Sequence, residues 1–390
     1  MKKCIPLSVP YFGGNEKKYV VDALEQGWVS TGGAYIDELE KKIACFIHTG
    51  NVAACQSGTA AIHLSLVEAG VGPGDVVIVP PLTFIAAVNP VRYQCATPVF
   101  IDCDDSFCLD PIKLKGFCEN KCQYQDGRLL YKGSIVRALI VVHVFGNMAD
   151  METIMDIARR YNIKVVEDAT EALGTRYIEG RYKGKYAGTI GDFGAYSFNG
   201  NKIITTGGGG AVTANKAETV NHIRYLSTQA KDDAHFYIHN EIGYNYRMTN
   251  LQAALGVAQM EELPEFIKRK QENFKLYKEM FADFELGRIV DFKEGIEANK
   301  WFYSLEINRE KVHAQMREII IALENAMIQT RAIWGLINEQ IPYKSNETYE
   351  IEKAPYYADR ILNLPSSTQI SNREITYVVE KVKEVLLSFQ

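Results

Sequence analysis

The sequence of 390 residues has no long uninterrupted apolar run and no excess of basic charge. Apolar stretches such as residues 76–88 are broken by Pro80, Pro81 and Thr83, so none supplies the roughly 20 apolar residues of a membrane span. With 43 Lys and Arg against 48 Asp and Glu, the chain lacks the basic surplus that nucleic-acid binding usually needs. We therefore expect neither a membrane partner nor a nucleic-acid partner.

The N-terminal segment also lacks a sustained apolar signal core, because Pro6 and Pro10 interrupt it. We expect a cytoplasmic protein, and in that reducing compartment its eight cysteines should be thiols. No fixed-period repeat and no low-complexity tract is present, which excludes solenoids and flexible linkers.

Two pairs of residues have a spacing that metal sites use, but neither pair is accompanied by a second one. Cys118 and Cys122 are best interpreted as a surface loop. His235 and His239 would lie on one face of a solvated helix. We therefore predict no metal site.

The composition that remains, 47% hydrophobic and 23% charged with 30 Gly, is typical of a globular protein. From residue 50 to about 215, short β-rich runs alternate with helical patterns such as 60–68 and 151–161, which predicts βαβ units and a buried, mostly parallel sheet. The predicted strands are 51–55, 76–79, 97–102, 135–143, 164–168, 193–198 and 210–214.

A composition shift near residue 250 predicts a domain boundary, with a large domain at 8–250 and a small one at 251–390. Residues 251–281 form one long helical pattern that Pro264 either kinks or divides. Beyond it, strand and helix patterns alternate in a smaller α+β unit. Those patterns cover residues 301–307, 311–324 and 372–389.

Three short segments could form one site. In the first, Gly58 lets the chain turn from a strand into a helix whose free N–H groups and positive dipole end would attract an anion. Thr59 adds a hydroxyl and Ala60 another N–H group at that turn. A phosphate monoester could bind there, although a Ser-Gly-Thr turn also serves as a simple helix cap.

The next two segments supply acids and an amine. Asp168 ends a buried strand pattern, where a carboxylate would point into the ligand crevice of a parallel sheet and could balance a protonated pyridine ring. Glu171 follows one helical turn later. Lys202 follows another buried strand and lies near Ser197, a setting in which a desolvated lysine can attack an aldehyde.

These segments resemble the DegT/DnrJ/EryC1/StrS family of nucleotide-sugar aminotransferases, which use pyridoxal phosphate (PLP). Two runs, 167–174 and 197–210, carry the resemblance, which covers the chain from about residue 8 to its C-terminus. It implies fold type I of the PLP-dependent transferases, an α/β fold. In that fold a large domain has a central, mostly parallel sheet between helices, and a smaller C-terminal domain is α+β. Shorter matching motifs lie at 27–32, 57–59, 83–84, 143–146 and 243–248.

Carried over residue by residue, the resemblance implies that Lys202 forms the Schiff base with the cofactor, Asp168 pairs with the pyridinium nitrogen and Glu171 lies near the ring hydroxyl. The other implied cofactor contacts are Gly58, Thr59, Ala60 and Ser197 at the phosphate, Phe84 on the ring face, and Asn245 from a neighbouring subunit. A homodimer with shared active sites is therefore implied.

Within the family, residues 198–210 and 329–334 are most similar to the legionaminic-acid-type aminotransferases. The sequence departs from the wider family at Gly208, where many members carry Glu, and at Asn199, where others carry His. It departs from the subgroup at Ala332, which is usually Pro. The implied substrate-pocket residues are Thr31, His143, Arg331 and Trp334.

The resemblance implies transfer of an amino group from L-glutamate to a UDP-linked 2-acetamido-4-keto-6-deoxyhexose, with pyridoxamine phosphate as the cofactor's intermediate form. The product would be a 4-amino sugar for surface-glycan or nonulosonic-acid biosynthesis. A GDP- or dTDP-linked sugar and a 3-keto isomer remain open. So does a PLP-dependent lyase acting on an amino acid, which would also use Lys202 and Asp168. A PLP-binding regulator would need a basic DNA-reading module, for which the chain has no spare segment.

Overall fold

The computed structural model describes residues 4–233 and 235–390, and within them the chain forms eleven α-helices and sixteen β-strands. The helices are α1 (Glu16–Glu25), α2 (Ala34–Phe46), α3 (Gly58–Glu68), α4 (Asn89–Tyr93), α5 (Pro111–Asn120), α6 (Met151–Tyr161), α7 (Ala217–Ser227), α8 (Asn250–Phe281), α9 (Met316–Asn325), α10 (Lys353–Arg360) and α11 (Asn372–Ser388). The strands are β1 (Val52–Cys55), β2 (Val76–Val79), β3 (Thr97–Ile101), β4 (Gln123–Gln125), β5 (Arg128–Tyr131), β6 (Ser134–Val142), β7 (Lys164–Asp168), β8 (Arg176–Tyr177), β9 (Phe193–Ser197), β10 (Gly210–Ala214), β11 (Gly287–Ile289), β12 (Ile296–Glu297), β13 (Tyr303–Ile307), β14 (Arg331–Ala332), β15 (Thr348–Tyr349) and β16 (Ile361–Leu364). None of these helices is long and apolar enough to cross a membrane.

A central sheet organises the molecule, with the strand order β1-β10-β9-β7-β6-β2-β3-β15. Every neighbouring pair from β9 to β15 is parallel, while β10 runs antiparallel to both β9 and β1. Strands β1, β2 and β10 are buried along their whole length, as the Val- and Ala-rich runs predict. Parallel pairing of Asp168 with Ala195 brings the carboxyl ends of β7 and β9 to the same edge of the sheet.

Helices α3 and α6 show how the local sequence sets the elements around this sheet. Ser57 caps α3, which is buried along most of its length because it packs against β9 and β10. Asp150 caps α6, and Asn162 ends it in the left-handed conformation that a short polar side chain tolerates. The cap at α3 fixes the turn on which the site below depends.

A second, smaller sheet has the order β11-β13-β16-β14 and is antiparallel throughout. Its apolar face packs with α9, α11 and the second half of α8 into a core that is distinct from the main one. Helix α8 is continuous through Pro264, so the alternative in which this proline divides it is wrong. The first half of α8 contributes Ala253 and Leu263 to the main core, and its second half contributes Phe274 and Phe281 to the smaller one.

The division at residue 250 stays a prediction, and the two cores support it in part. Residues of the C-terminal segment also join the main core, since β15 extends the large sheet beside β3 and Tyr357 packs on Phe107. Asp102, at the end of β3, accepts the backbone N–H groups of Glu352, Lys353 and Ala354 and so fixes the start of α10. The chain therefore returns to the large sheet after residue 250.

Other differences from the sequence prediction are local. Cys118 is buried in α5, and Cys122 directly precedes the hairpin of β4 and β5, so the surface-loop interpretation of this pair is wrong for Cys118. Helix α9 begins at Met316 rather than at 311, because Gln315 and Glu318 form a capping box there. Residues 235–237 form a turn and Ile238 a β-bridge with Asp233, so the helix assumed for His235 and His239 is absent. All eight cysteines, which lie in the described ranges, are free thiols, as expected.

Candidate active site

A cavity of about 410 Å³ lies at the carboxyl ends of β7 and β9, between residues of the large sheet and residues that follow α8. Most of the residues predicted for the site line it. They are Gly58, Thr59, Phe84, Asp168, Glu171, Ser197, Lys202, Arg331 and Trp334. The remaining predicted residues, Ala60, Thr31, His143 and Asn245, do not line it in this chain.

The first turn of α3 forms one wall of the cavity and offers backbone donors. The N–H groups of Gly58 and Thr59 have no acceptor within the helix, as is general for a first turn. The N–H of Ala60 donates to the Ser57 hydroxyl at 3.0 Å, and Ala60 is buried behind the wall. The free donors of this turn are therefore those of Gly58 and Thr59, while the N–H of Ala60 serves the helix cap and its phosphate contact stays a prediction.

Gly58 is a glycine because this wall packs closely on the strand ends. A Cβ at this position would lie 2.9 Å from Cβ of Ser197 and 2.9 Å from Cγ2 of Thr170. Both distances are shorter than van der Waals contact. The close approach brings the hydroxyl of Ser197 to the same corner as the free N–H groups, and together they form an anion seat.

Asp168 closes the inner end of the cavity. Its carboxylate is 4% exposed and accepts the N–H of Thr170 at 3.1 Å. Burial raises the pKa of Asp168, while the Thr170 hydrogen bonds and the charge of Lys202 oppose that rise. A carboxylate so placed would gain free energy from a cationic partner in the cavity.

His143 lies behind Asp168 rather than in the substrate pocket. Its side chain is fully buried; Nδ1 accepts the N–H of Ala149 at 3.2 Å, so Nε2 carries the proton and donates it to Glu167 at 2.9 Å. The Glu167 carboxylate also accepts three backbone N–H groups, those of Gly188, Ile190 and Gly191. Both ring nitrogens are engaged, so the predicted substrate contact of His143 has no free atom to make it.

Lys202 projects from the turn after β9 into the same inner end. Its Nζ lies 3.3 Å from Oε1 of Glu171 and 4.0 Å from the centroid of the Trp301 ring. The other oxygen of Glu171 accepts the N–H of Phe145 at 2.9 Å. Burial raises the pKa of Glu171, and the Lys202 charge acts in the opposite direction. An amine and two carboxyl groups are therefore buried together in one small space.

The sequence prediction missed the residues that support Glu171 and Lys202. Asn299 is buried and donates its amide to the carbonyl oxygens of Glu171 and Leu173, each at 2.9 Å. Its Oδ1 accepts the N–H of Trp301 at 3.0 Å. The bonds to Glu171 and Leu173 join residues more than a hundred positions apart in the sequence, and no motif or periodicity at 299–302 signals them.

The outer end of the cavity is more open. Phe84 is 56% exposed, and the Arg331 side chain is 62% exposed with its nearest carboxylate, that of Glu324, at 3.9 Å. Trp334 packs on Phe145 with 4.7 Å between ring centroids. Thr31 and Asn245 are exposed elsewhere on this chain. The role predicted for Asn245 requires a second subunit.

The donor set fits the cofactor that the resemblance implies. The anion seat suits a phosphate, the buried carboxylate of Asp168 suits a protonated ring nitrogen, and Lys202 supplies an amine within the same cavity. A side chain at Gly58 would fill the seat. The arrangement therefore suits a phosphorylated pyridine aldehyde.

Known proteins show the same combination of sequence and fold. Residues 10–383 match the DegT/DnrJ/EryC1/StrS aminotransferase family. Two curated proteins named GDP-perosamine synthase are similar along nearly their whole length. That of Escherichia coli O157:H7 is 35% identical over 386 residues and that of Caulobacter vibrioides 34% over 387, each match covering 98% of this chain and 98% of the relative. Among solved structures, the PLP form of Spr1654 from Streptococcus pneumoniae has a TM-score of 0.87 at 26% identity and covers 99% of this chain and 100% of its own. These matches confirm the predicted fold type I.

Proposed function

The chain belongs to the DegT/DnrJ/EryC1/StrS aminotransferase family, and from that premise we propose that it moves an amino group from L-glutamate to the C4 ketone of a nucleotide-linked 6-deoxyhexose. The family and the curated relatives are PLP-dependent sugar aminotransferases acting on nucleotide sugars, so the enzyme class and cofactor follow from membership. The observation that carries the proposal is the meeting of Lys202, Asp168 and the anion seat in one cavity.

In this proposal each inner residue has one task toward the cofactor. The N–H groups of Gly58 and Thr59 and the Ser197 hydroxyl bind the phosphate, Asp168 holds the proton of the ring nitrogen, and Phe84 packs on the ring face. When bound, PLP supplies an aldehyde that takes up the amino group and a ring that accepts an electron pair from the adjacent carbon. The buried carboxylate keeps the ring in its electron-accepting form.

Lys202 performs the proton transfers. Its Nζ removes a proton from the donor's α-carbon and delivers it on the cofactor side, and it reverses the transfer when the sugar ketone is the substrate. One amine can serve both halves of a ping-pong reaction because both substrates occupy the same cavity in turn. The 13% exposure of its side chain limits competition from water.

The identity of the nucleotide rests on two different observations. The similarity of residues 198–210 and 329–334 to the legionaminic-acid-type subgroup supports a UDP-linked 2-acetamido-4-keto sugar. The two relatives named GDP-perosamine synthase favour a GDP-linked sugar as the second candidate. The cavity lining itself offers one exposed cation, Arg331, to either diphosphate.

A substrate panel tests this proposal. The purified enzyme, loaded with PLP and given L-glutamate, is incubated with UDP-, GDP- and dTDP-linked 4-keto-6-deoxyhexoses and a 3-keto isomer. We expect 2-oxoglutarate and a 4-amino sugar in equal amounts, with the highest kcat/KM for the UDP-linked 2-acetamido sugar. Preference for the GDP-linked sugar would establish the second candidate. Failure of every 4-keto sugar would contradict the proposal.

A single-turnover reaction without any sugar separates transamination from the lyase alternative. We expect glutamate to release one equivalent of 2-oxoglutarate per active site and then stop, because the amino group stays on the cofactor. Continuous turnover of an amino acid without a keto acceptor would instead support a lyase.

We further propose that the enzyme is a homodimer in which Asn245 of each subunit completes the other's phosphate site. Asn245 is exposed and lies outside the cavity of its own chain, which is compatible with a contact in trans. Asn245→Ala should weaken PLP retention without changing the sedimentation coefficient of the dimer. A fully active monomer would exclude shared sites.

We also propose a cytoplasmic location. The eight free thiols, several of them buried in the main core, are compatible with a reducing compartment. Fractionation of the producing cells, with activity and antibody detection, tests this location. Recovery of the protein outside the cytoplasmic fraction would contradict it.

A further inference from the structure

Several contacts that no sequence pattern predicts hold Trp301 in place. Its backbone N–H donates to Asn299, and its carbonyl accepts from Nζ of Lys270 at 2.9 Å. Its indole N–H donates to the carbonyl of Asn201, the residue before the catalytic lysine, at 2.8 Å. Phe302 stacks on the ring with 4.0 Å between centroids. The orientation of the indole is therefore fixed at its backbone, its edge and one face.

One of these anchors is unusual in itself. Lys270, on α8, is 2% exposed and donates to the carbonyl oxygens of Trp301 and of Ser366, the latter at 2.6 Å. Burial lowers the pKa of Lys270 to about 7. Burying a lysine side chain costs free energy, and here the buried amine of Lys270 serves to hold the backbone of Trp301. This cost is explained if the position of the indole matters for function.

The indole face lies 4.0 Å from Nζ of Lys202, and Glu171 lies 3.3 Å from the same atom. The face of an aromatic ring is electron-rich and attracts a cation, most strongly for tryptophan and where water is excluded. We propose that Trp301 is a positioning residue that holds the charged Nζ of Lys202 at the inner end of the cavity. The inference rests on the proposed function of Lys202.

Two consequences can be measured. Trp301 stabilises positive charge on Nζ, so its loss should make the proton on that nitrogen easier to remove. It also returns the amine to one place after each transfer, so its loss should lower kcat more than it raises KM. A residue that merely filled space would lower thermal stability without either effect.

The test is a pH titration of the visible absorbance of the PLP-loaded enzyme, in wild type and in Trp301→Leu. We expect the midpoint of the absorbance change to move down by about 0.5 to 1.5 pH units in the leucine variant. Trp301→Phe keeps an aromatic face but loses the indole N–H, and we expect a smaller shift in the same direction. The phenylalanine variant also carries the test if the leucine variant does not fold.

Other charged groups lie near Nζ of Lys202 and also affect its titration, so they must be the same in all the variants. Asp168 and Glu171 lie beside Lys202 in the cavity, Arg331 lines its outer part, and Lys270 contacts Trp301 at its backbone carbonyl. None of these groups is altered in the variants, so their contributions are common to all the titrations. Trp334→Leu removes a second tryptophan from the same cavity, and we expect it to shift the midpoint less than Trp301→Leu does.

Each outcome bears on a distinct claim. Equal midpoints in wild type, Trp301→Leu and Trp301→Phe would overturn the role of Trp301 while leaving the proposed function intact. A shift in Trp334→Leu as large as in Trp301→Leu would also overturn it, because the effect would then be a general one of cavity polarity. A wild-type protein with no visible band of bound PLP would contradict the proposed function itself.

Discussion

The inner and outer ends of the active-site cavity are built in different ways. At the inner end, Asp168 and Ser197 sit at the ends of adjacent parallel strands, and Gly58 sits at a capped helix start, so backbone pairing sets their positions. At the outer end, Phe84 and Arg331 are more than half exposed, and Arg331 has only a distant carboxylate neighbour.

This difference separates the chemistry from the choice of substrate. The inner groups are buried and preorganised, as a site that must move protons between fixed atoms requires. The outer groups can adjust to a sugar and its nucleotide, and a second subunit can add to them. Changes at the inner end should therefore abolish catalysis or cofactor binding, and changes at the outer end should alter substrate affinity modestly.

The largest effect is expected at Lys202. Lys202→Ala removes the only amine at the inner end among the described residues, so turnover should fall by roughly 10⁴-fold or more. The visible band of bound PLP should also disappear. Absorbance measures the loss of the PLP band, and steady-state rates measure the loss of turnover. The circular dichroism spectrum should match that of wild type, because the side chain projects into a cavity and its removal should leave the fold intact. An active Lys202→Ala enzyme would contradict the claim that the inner end of the cavity carries out the chemistry.

Asp168→Asn should follow, with a loss of turnover of roughly 10²- to 10⁴-fold, because a neutral amide cannot stabilise a protonated ring. The Thr170 N–H can still donate to the amide oxygen, so the local fold should persist. Steady-state rates against donor concentration measure the loss. Wild-type kcat in this variant would show that another acid faces the ring.

The same substitution has an opposite effect on the cofactor-free protein. Burial raises the pKa of Asp168 above its ordinary value of 3.8, so ionising it costs folding free energy. That cost is absent below pH 3.8, grows as the pH rises through the folded pKa, and is constant above it. Asp168→Asn should thus be more stable than wild type at neutral pH, by a margin that shrinks as the pH is lowered. Urea unfolding at several pH values measures it; a constant margin would contradict this origin.

Gly58→Ala tests the close packing of the anion seat. The added Cβ would meet Ser197 and Thr170 at 2.9 Å, which should cost about 1–3 kcal/mol of unfolding free energy and weaken PLP binding. Gly208→Ala is the matched control, since the nearest atom to its Cβ, on Gln252, is 3.7 Å away. Urea unfolding and PLP titration compare the two. Equal stability of both variants would mean that the seat can widen freely.

The smallest effect is expected at the outer end. Arg331→Gln removes an exposed charge of the kind that contributes about 0.2–1 kcal/mol, so KM for an anionic substrate should rise by no more than about fivefold. The kcat should change little, because Arg331 is remote from the amine. Initial rates with varied nucleotide sugar and varied glutamate locate the effect. A collapse of kcat would show that the outer end is as preorganised as the inner one.

The same contrast explains what could be predicted from the sequence. Strands β2, β7 and β10 have the predicted bounds, because a buried run of Val and Ala bounded by turns has few alternatives. The glycine and acid motifs at strand ends lie in the cavity for the same reason. At the inner end of the cavity, the local sequence patterns are sufficient because they set the strand ends and the helix start that position the side chains.

The role of a residue could not be predicted from the sequence where that role depends on contacts with residues far away in the chain. Asn299, Trp301 and Lys270 act on the site through hydrogen bonds to residues far away in the chain, and nothing in their local sequence marks them. The resemblance implied a substrate contact for His143, whereas buried hydrogen bonds with Glu167 and with the N–H of Ala149 engage both of its ring nitrogens. The antiparallel β10 and the return of β15 to the large sheet likewise depend on tertiary pairing.

The most direct test of the whole account is chemical trapping of the bound cofactor. The PLP-loaded enzyme is reduced with borohydride and digested, and the labelled peptide is identified by mass spectrometry. We predict a single pyridoxyl group on Lys202, at one equivalent per chain. A label on another lysine, such as the buried Lys270 or the half-buried Lys300, or no label at all, would contradict the placement of the reactive amine on which every other step depends.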